Sequence, residues 1–432
     1  MASTYLERTV SAGNQQIFTY STWVKFSNPS ATDNALFGDD GGYPNFFVNK
    51  NSTQQLRIGA TASDTSTIYE LITTQVFRDP SAWYHIVLAV DTTQATSSDR
   101  VKLYVNGEQV TSFSTETYPS QNANICIGAS GNAFRIGQFS GVWFFEGSMS
   151  HVHFIDGTAY DASAFGEYDA NGVWKAKTSP SVTYGTNGFF ILKDSASVTD
   201  QSGNGNNFTV AGGTLTDTLD CPANVFCTIN PLSIASDGSS SSTLSNGNLT
   251  ITSSGTNQNS GTLASSIDSN SKWYYEFKNI SGVSTTNNSS VGWSTDISAF
   301  RSGSWATYNS LFLYAADGNI YSPSGWLSAG TAPTYTNGDI IGCTVDLENN
   351  EIKWYKNNSL AYTISSISFV GDVITPHAQW SQSGAVGCFN FGNGYFGTTA
   401  VASAGTNASG IGIFEYDVPT GYTALSTKGL NL

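Results

Sequence analysis

Trp83-Tyr84-His85-Ile86-Val87-Leu88-Ala89-Val90-Asp91 is followed by Val101-Lys102-Leu103-Tyr104-Val105-Asn106-Gly107-Glu108-Gln109-Val110. Both runs are rich in β-branched and aromatic residues, and the second alternates apolar with polar side chains. Period-two alternation marks a strand with one buried face. The Asn-Gly pair supplies the two positive-φ positions of a tight hairpin. Upstream, Phe18-Thr19-Tyr20-Ser21-Thr22-Trp23-Val24-Lys25-Phe26 has the same grammar. Short runs of this kind, separated by Gly, Asn, Asp and Pro, continue to the last residues, and no stretch has helical periodicity. The chain is predicted to be all-β and built of antiparallel sandwiches.

Composition narrows the function. Of 432 residues, Lys and Arg make 17 and Asp and Glu 32, a charged share of 11% and a net charge of −15. Ordinary globular chains carry roughly 25% charged residues. Aromatics nevertheless reach 13%, so the chain has the large apolar side chains a core needs, and its surface must be Ser, Thr, Asn, Gln and Gly. The acidic balance argues against nucleic acid, whose phosphates are bound by clustered Lys and Arg. No apolar run is long enough for a membrane span. The start, Met1-Ala2-Ser3-Thr4-Tyr5-Leu6-Glu7-Arg8, lacks the basic and apolar regions of a signal peptide. Five Cys are sparse and odd in number, unlike a disulfide-stapled scaffold. Cys221 and Cys227 are close enough in sequence to bridge across a turn.

Two strand-rich blocks stand out, separated by segments such as Asp200-Gln201-Ser202-Gly203-Asn204-Gly205-Asn206-Asn207 and Ser236-Asp237-Gly238-Ser239-Ser240. The expected organisation is a jelly roll over 1–157, a connector with embedded strands over 158–243, a second sandwich over 244–398, and a tail over 399–432 that packs back. Phe189-Phe190-Ile191-Leu192 and Leu249-Thr250-Ile251 read as strands near the connector.

The first block resembles the concanavalin-A-like jelly roll in its laminin-G-like form. The resemblance rests on residues 18–25, 83–91 and 101–107 quoted above, then Arg135-Ile136-Gly137 and Phe145-Glu146-Gly147-Ser148-Met149-Ser150. The second resembles a SPRY domain, through Lys272-Trp273-Tyr274-Tyr275-Glu276-Phe277, Val291-Gly292-Trp293, Asn337-Gly338-Asp339-Ile340-Ile341-Gly342-Cys343, Glu351-Ile352-Lys353-Trp354-Tyr355-Lys356-Asn357 and Cys388-Phe389-Asn390-Phe391-Gly392. The pairing, with the Asp200–Thr209 phrase between and Pro419-Thr420-Gly421-Tyr422-Thr423-Ala424-Leu425 near the end, resembles structural proteins of tailed bacteriophages, many of them marine. That resemblance implies a virion surface protein (fibre, decoration or adhesin), made in the host cytoplasm and released by lysis. Its implied partners are other virion proteins and a host-surface polysaccharide. It also implies a homo-oligomer, a trimer by analogy with fibres.

Candidate chemistry is thin. Glycosidases of the concanavalin-A-like fold place carboxylates at alternate positions of one strand. The nearest patterns are Glu415-Tyr416-Asp417, Glu167-Tyr168-Asp169 and Asp346-Leu347-Glu348; none supplies a third acid, and all read as turn acids. His151 and His153 would share a strand face and could pair on a metal, with no third ligand in view. His85 reads as a core-edge residue, and His377 follows Pro376 at a strand start, with no partners in view for a nucleophile–His–acid arrangement. No enzyme activity, metal or cofactor is expected. Calcium is the exception weighed, through Asp39-Asp40-Gly41-Gly42 or Asp194, Asp200 and Asn204, because oxygen-rich loops suit it.

Binding residues are sought among aromatics on turns. Trp305 and Tyr308, then Trp326 and Trp380, lie in Ser-, Gly- and Gln-rich stretches and could offer flat faces to sugar rings, with amides for the hydroxyls; the alternative for Trp326 and Trp380 is that they cap the sandwich core. Val142-Trp143-Phe144-Phe145 breaks alternation, so the run is either buried on both faces or an oligomer or domain contact through Trp143, Phe144 and Phe145, and the contact is the reading adopted. The alternatives are a standalone glycan-binding cell-surface adhesin and an endoglycanase, the latter requiring a carboxyl pair in the jelly-roll cleft.

Overall fold

The computed structural model describes residues 4–27, 33–39, 45–61, 67–125, 127–236, 242–283, 289–295, 311–323, 325–328, 330–369 and 371–431. It divides into two compact units, Met1–Asp217 and Thr218–Leu432. The dividing point falls inside the stretch read as a connector. Residues 158–217 belong to the first unit, and 218–243 to the second.

The first unit is a two-sheet sandwich. One sheet has eight strands in the order Phe113–Thr117, Thr67–Val76, Gln55–Thr61, Asn45–Lys50, Asn34–Asp39, Ala133–Ile136, Tyr5–Thr9 and Thr209–Ala211. The other has six: Phe189–Ile191, Gly147–Asp156, Ile17–Phe26, Trp83–Asp91, Val101–Val105 and Glu108–Gln109. Alternation decides which side chains face the core. Along Ile17–Phe26, Phe18, Tyr20, Val24 and Phe26 join a buried cluster with Phe37, Phe46, Phe134 and Phe154. Tyr20 stacks on Phe37 with centroids 4.6 Å apart, and Phe134 meets Phe154 edge-on at 4.9 Å. The Asn106-Gly107 hairpin forms as expected, with φ of +49° and +88°.

The second unit is also a sandwich. One sheet runs Ile229–Ser236, Asn257–Gly261, Val373–Trp380, Ser289–Ser294, Leu311–Ala315, Ile320–Ser322 and Gly325–Ser328. The other runs Ser242–Ser245, Thr250–Ser254, Ser383–Asn390, Lys272–Ser281, Ile340–Asp346, Glu351–Lys356 and Ser359–Ile364. Trp273, Trp293, Trp354 and Trp380 are fully buried. Trp293 Nε1 donates to the Thr344 carbonyl (3.1 Å) and Trp354 Nε1 to that of Val291 (3.2 Å), which ties the two sheets together across the core.

Residues 399–431 lie against the second unit. Phe414, Val418, Tyr422 and Ala424 form a small cluster with Phe226 and Tyr274, and Thr423–Ala424 pairs in parallel with Trp273 and Tyr274. Beside this strip the carboxylate of Glu276, wholly buried, accepts from Tyr416 N (2.9 Å), Glu415 N (2.9 Å), Tyr274 Oη (3.1 Å) and Asn390 Nδ2 (3.2 Å). Among the described residues no helix is long and apolar enough to cross a membrane.

Candidate functional site

The six-stranded sheet has one face turned away from the core. Strand parity puts Thr19, Ser21, Trp23 and Lys25 there, beside Trp83, His85, Val87 and Ala89 of the neighbouring strand. Much of this face is covered by the chain itself. Residues 160–184 return across it, and Ala162 and Phe165 form a cluster with Val87 and Ile155, flanked by Tyr160, Trp174 and Tyr184. This strap carries a small hairpin, Gly166–Tyr168 paired with Trp174–Ala176.

Trp174 is the key of the strap. Its Nε1 donates to His85 Nδ1 at 2.9 Å, and His85 Nε2 lies 2.9 Å from Ser21 Oγ. An indole only donates, so Nδ1 is the acceptor and Nε2 carries the proton, which it gives to Ser21. The imidazole stacks on Trp23 (4.9 Å), and the Trp174 ring lies at its Nδ1 edge, tilted 27° with centroids 5.9 Å apart. Burial, with His151 as a smaller influence, pushes its pKa down to about 3. Glycine makes room for the indole: a Cβ at Gly166 would sit 2.4 Å from the Trp174 ring, and one at Gly107 would sit 2.7 Å from it.

The paired-histidine expectation is corrected by the partners of the two rings. The register against Ile17–Phe26 slips between Ser150 and His153, and His151 takes φ of +50°, a bulge in the strand. Both rings still meet Phe190, but their nitrogens are turned to different hydroxyls. His151 Nδ1 meets Ser150 Oγ at 2.7 Å, while His153 Nδ1 meets Tyr184 Oη at 3.1 Å and its ring stacks on Phe190 at 3.9 Å. His153 is held well below the usual range, first by burial and then by the two other histidines. Among the described residues no group of three His, Cys, Asp or Glu could hold a metal ion.

The oxygen-rich candidates for calcium have other work. Asp39 accepts from Gly128 N (2.7 Å) and Asn132 Nδ2 (2.8 Å); Asp40 to Gly42 lie outside the described residues. Asp200 Oδ1 accepts from Phe190 N and Ser202 N, and its Oδ2 from Ser202 Oγ and Asn206 N. Asn204 Nδ2 donates to the carbonyls of Gly185 and Gly188, and Asp194 is exposed beside Lys193. The acid pairs of the sequence are turn acids: Asp169 accepts from two backbone amides of its own turn and meets Lys175, Asp346 and Glu348 share Lys272, Glu415 caps Ala402 N and Asp417 caps Thr406.

Of the expected sugar-stacking residues, Trp305 and Tyr308 lie outside the described residues. Trp326 sits on strand Gly325–Ser328, paired with Tyr321. Trp380 has no accessible surface and packs on Phe277, so it is a core residue and offers no face to a ligand. The run expected to form a contact is largely spent within its own unit. Trp143 packs on Phe47 and Phe139, Phe144 faces Tyr5, and Phe145 meets Phe26 edge-on. Only Val142, 68% exposed, projects from that hairpin. Among the described residues, Cys221, Cys227, Cys343 and Cys388 form no disulfide, so the Cys221–Cys227 bridge is not made.

Asn187, Arg8 and Glu276 carry the polar networks that sequence reading missed. Asn187, fully buried, receives Ser11 N on its Oδ1 (3.0 Å), donates from Nδ2 to Ser11 O (2.8 Å) and meets Asp156 Oδ2 through its backbone N (3.0 Å). Asn187-Gly188 reads locally as a turn, and nothing in the neighbouring residues announces a partner 176 positions away.

Family comparison agrees with this architecture. Residues 2–162 match the family model of the concanavalin A-like lectin/glucanases superfamily, and residues 272–394 match that of the SPRY domain. The chain carries both domains. Similar solved structures include the SPRY domain of human HERC1, 18% identical, covering 37% of this chain and 96% of that one with a TM-score of 0.30. A heptameric SAP-like pentraxin from Limulus polyphemus is 16% identical and covers 37% of this chain and 72% of its own, TM-score 0.28. A search of curated proteins finds no match. The concanavalin A-like domain thus extends beyond its matched residues, since its eight-stranded sheet is completed by Thr209–Ala211.

Proposed function

We propose that the chain is a non-enzymatic glycan-binding protein displayed on the surface of a phage particle, as a fibre, decoration or adhesin. The observation that carries the non-enzymatic half is the strapped sheet face. Glycoside hydrolysis needs two carboxyl groups about 5–9.5 Å apart across the scissile bond. On the described part of that face the central positions are instead hydroxyl, aromatic and imidazole side chains, and the His85 ring is capped by Trp174. Membership of the first domain in a superfamily of lectins and glucanases supports sugar as the ligand class. So does a charged share of only 11%, since amide and hydroxyl contacts to sugars lose little to salt screening.

The virion role is supported by the resemblance of the domain pairing to phage structural proteins. It brings with it multiple copies, by analogy a trimer, other virion proteins as neighbours, a host-surface polysaccharide as target, and no cofactor. Three measurements test this reading. Incubation with a panel of polysaccharides is expected to release no reducing ends, whereas a glycan array is expected to show bound spots; hydrolysis would overturn the proposal. Mass spectrometry of purified phage particles is expected to find the chain, and its absence would leave a free adhesin. Light scattering is expected to give a discrete oligomer whose mass is the same with and without EDTA. A monomer would overturn the multicopy assignment, and dissociation on chelation would assign calcium to the interface.

A further inference from the structure

With the outer face of its six-stranded sheet strapped, the first unit needs another place for a ligand. A groove of about 510 Å³ opens at the edge of the eight-stranded sheet, lined by Glu7, Arg8, Thr9, Asn206, Asn207 and Thr209. Its volume falls in the range of small-ligand sites, roughly 300–1,000 Å³. It exists because the two edge strands have unequal lengths. Strand Thr209–Ala211 begins opposite Glu7, while Tyr5–Thr9 runs on, paired on its other side with Ala133–Ile136. Residues 201–207 form the wall beyond the end of the shorter strand.

That wall is rigid before any ligand arrives. Asp200 gathers Ser202 N, Ser202 Oγ and Asn206 N onto its carboxylate. Asn206 Nδ2 donates to the carbonyls of Thr186 (2.9 Å) and Gly188 (2.8 Å), and its Oδ1 accepts from Arg8 Nη2 at 2.6 Å. Arg8 Nη1 in turn donates to the Asn187 carbonyl at 3.1 Å. A site ordered in advance saves the entropy of ordering on binding. Its free valences are those of a sugar site. Thr9 and Asn207 are exposed, and the Thr9 hydroxyl and the Asn207 amide Nδ2 make no hydrogen bond among the described residues. The Thr209 hydroxyl donates to the Glu7 carbonyl at 3.2 Å and keeps its acceptor lone pairs, and the Glu7 carboxylate, 36% exposed, lies 3.4 Å from Arg135. Donors and acceptors are mixed, and the charge of Arg8 is balanced by Glu7 and Asp200, which disfavours an anion.

We propose that this groove binds a neutral oligosaccharide, with Thr9 and Asn207 donating to sugar oxygens and Thr209 and Glu7 accepting from sugar hydroxyls. The proposal rests on the glycan-binding reading above and names its site. The test is calorimetric titration of the full chain with maltohexaose, cellohexaose, mannohexaose, laminarihexaose and chitohexaose, and with hexagalacturonate as the anionic member. At least one neutral hexasaccharide is expected to bind. Thr9→Trp, which fills the groove, is expected to lower its affinity at least tenfold, and Thr9→Val, which removes only the hydroxyl, to lower it several-fold. Thr117→Trp, at an exposed position on the opposite edge strand of the same sheet, is expected to change nothing. Unchanged affinity in both Thr9 variants would overturn the groove while leaving the glycan reading intact. Binding of hexagalacturonate alone would overturn the neutral assignment. Failure of every oligosaccharide to bind the unmodified chain would overturn the glycan reading and the groove with it.

Discussion

Asn187 and Glu276 do in side chains what neither unit achieves with strands alone. Asn187 joins Ser11 and Asp156 to the turn before Phe189–Ile191, so truncating it leaves buried donors and acceptors without partners. Asn187→Ala is expected to cost the first unit about 2–4 kcal/mol in chemical denaturation; a loss below about 0.5 kcal/mol would show that water replaces the side chain. Glu276 is pulled two ways: burial raises its pKa to about 7, against four hydrogen-bond donors that favour the ionised form. At pH 8, where the carboxylate is ionised, Glu276→Gln turns an amide N–H toward groups that themselves donate. The expected loss is about 2–4 kcal/mol, with new protease cleavage inside residues 399–431. An intact tail under protease would show that Glu276 does not hold residues 399–431 in place. Sequence gave no sign of either residue's role. Glu276 stands in an alternating strand as though its side chain met water, and its burial depends on a segment some 140 residues later.

At the scale of elements, the strands were legible and the strap was not. Ile17–Phe26, Trp83–Asp91, Val101–Val105 and Lys272–Ser281 follow side-chain alternation, a local property. Residues 158–184 read as connector because they lie between the two strand-rich blocks, and their apolar members are too scattered to suggest a common face. Phe165 and Trp174 become a cover only when the underlying sheet exists to receive them. The same limit left Trp380 open between a sugar platform and a cap on the core, because its neighbours are rich in Gln and Ser; it ends a central strand and belongs to the core. Gly166→Ala tests the strap. The added methyl would meet the indole at 2.4 Å, so Trp174 is expected to leave His85, with a red-shifted tryptophan emission and faster proteolysis between residues 158 and 184. An unchanged spectrum would mean that the hairpin shifts as a body and keeps the contact.

For the whole molecule, acid should affect the two units differently. In the first, burial holds His85 near pKa 3 and His153 well below its usual value. Both stay neutral in the fold while the unfolded chain takes up protons below about pH 6.5, so stability present above that pH is lost as it falls, by about 3 kcal/mol per pH unit for the pair. In the second, His377, also depressed to about 3, acts the same way. Glu276 acts oppositely, because its raised pKa makes the fold keep a proton that the unfolded chain releases above about pH 4.5. The two slopes, each about 1.4 kcal/mol per pH unit, nearly cancel. Calorimetry from pH 6.5 to 5 is expected to show one transition, identified by its sensitivity to Asn187→Ala, falling while the other holds; parallel shifts would refute this accounting. The pairing of Tyr5–Thr9 with Thr209–Ala211 has a mechanical consequence. Tyr5 lies opposite Ala211, so the chain enters and leaves this strand pair at the same end. A load applied across the first unit would therefore peel its edge open one hydrogen bond at a time, as a zipper does, instead of shearing all of them together. The unit would yield at low force and pay out slack gradually, so that under tension it acts as a soft spring in the tether.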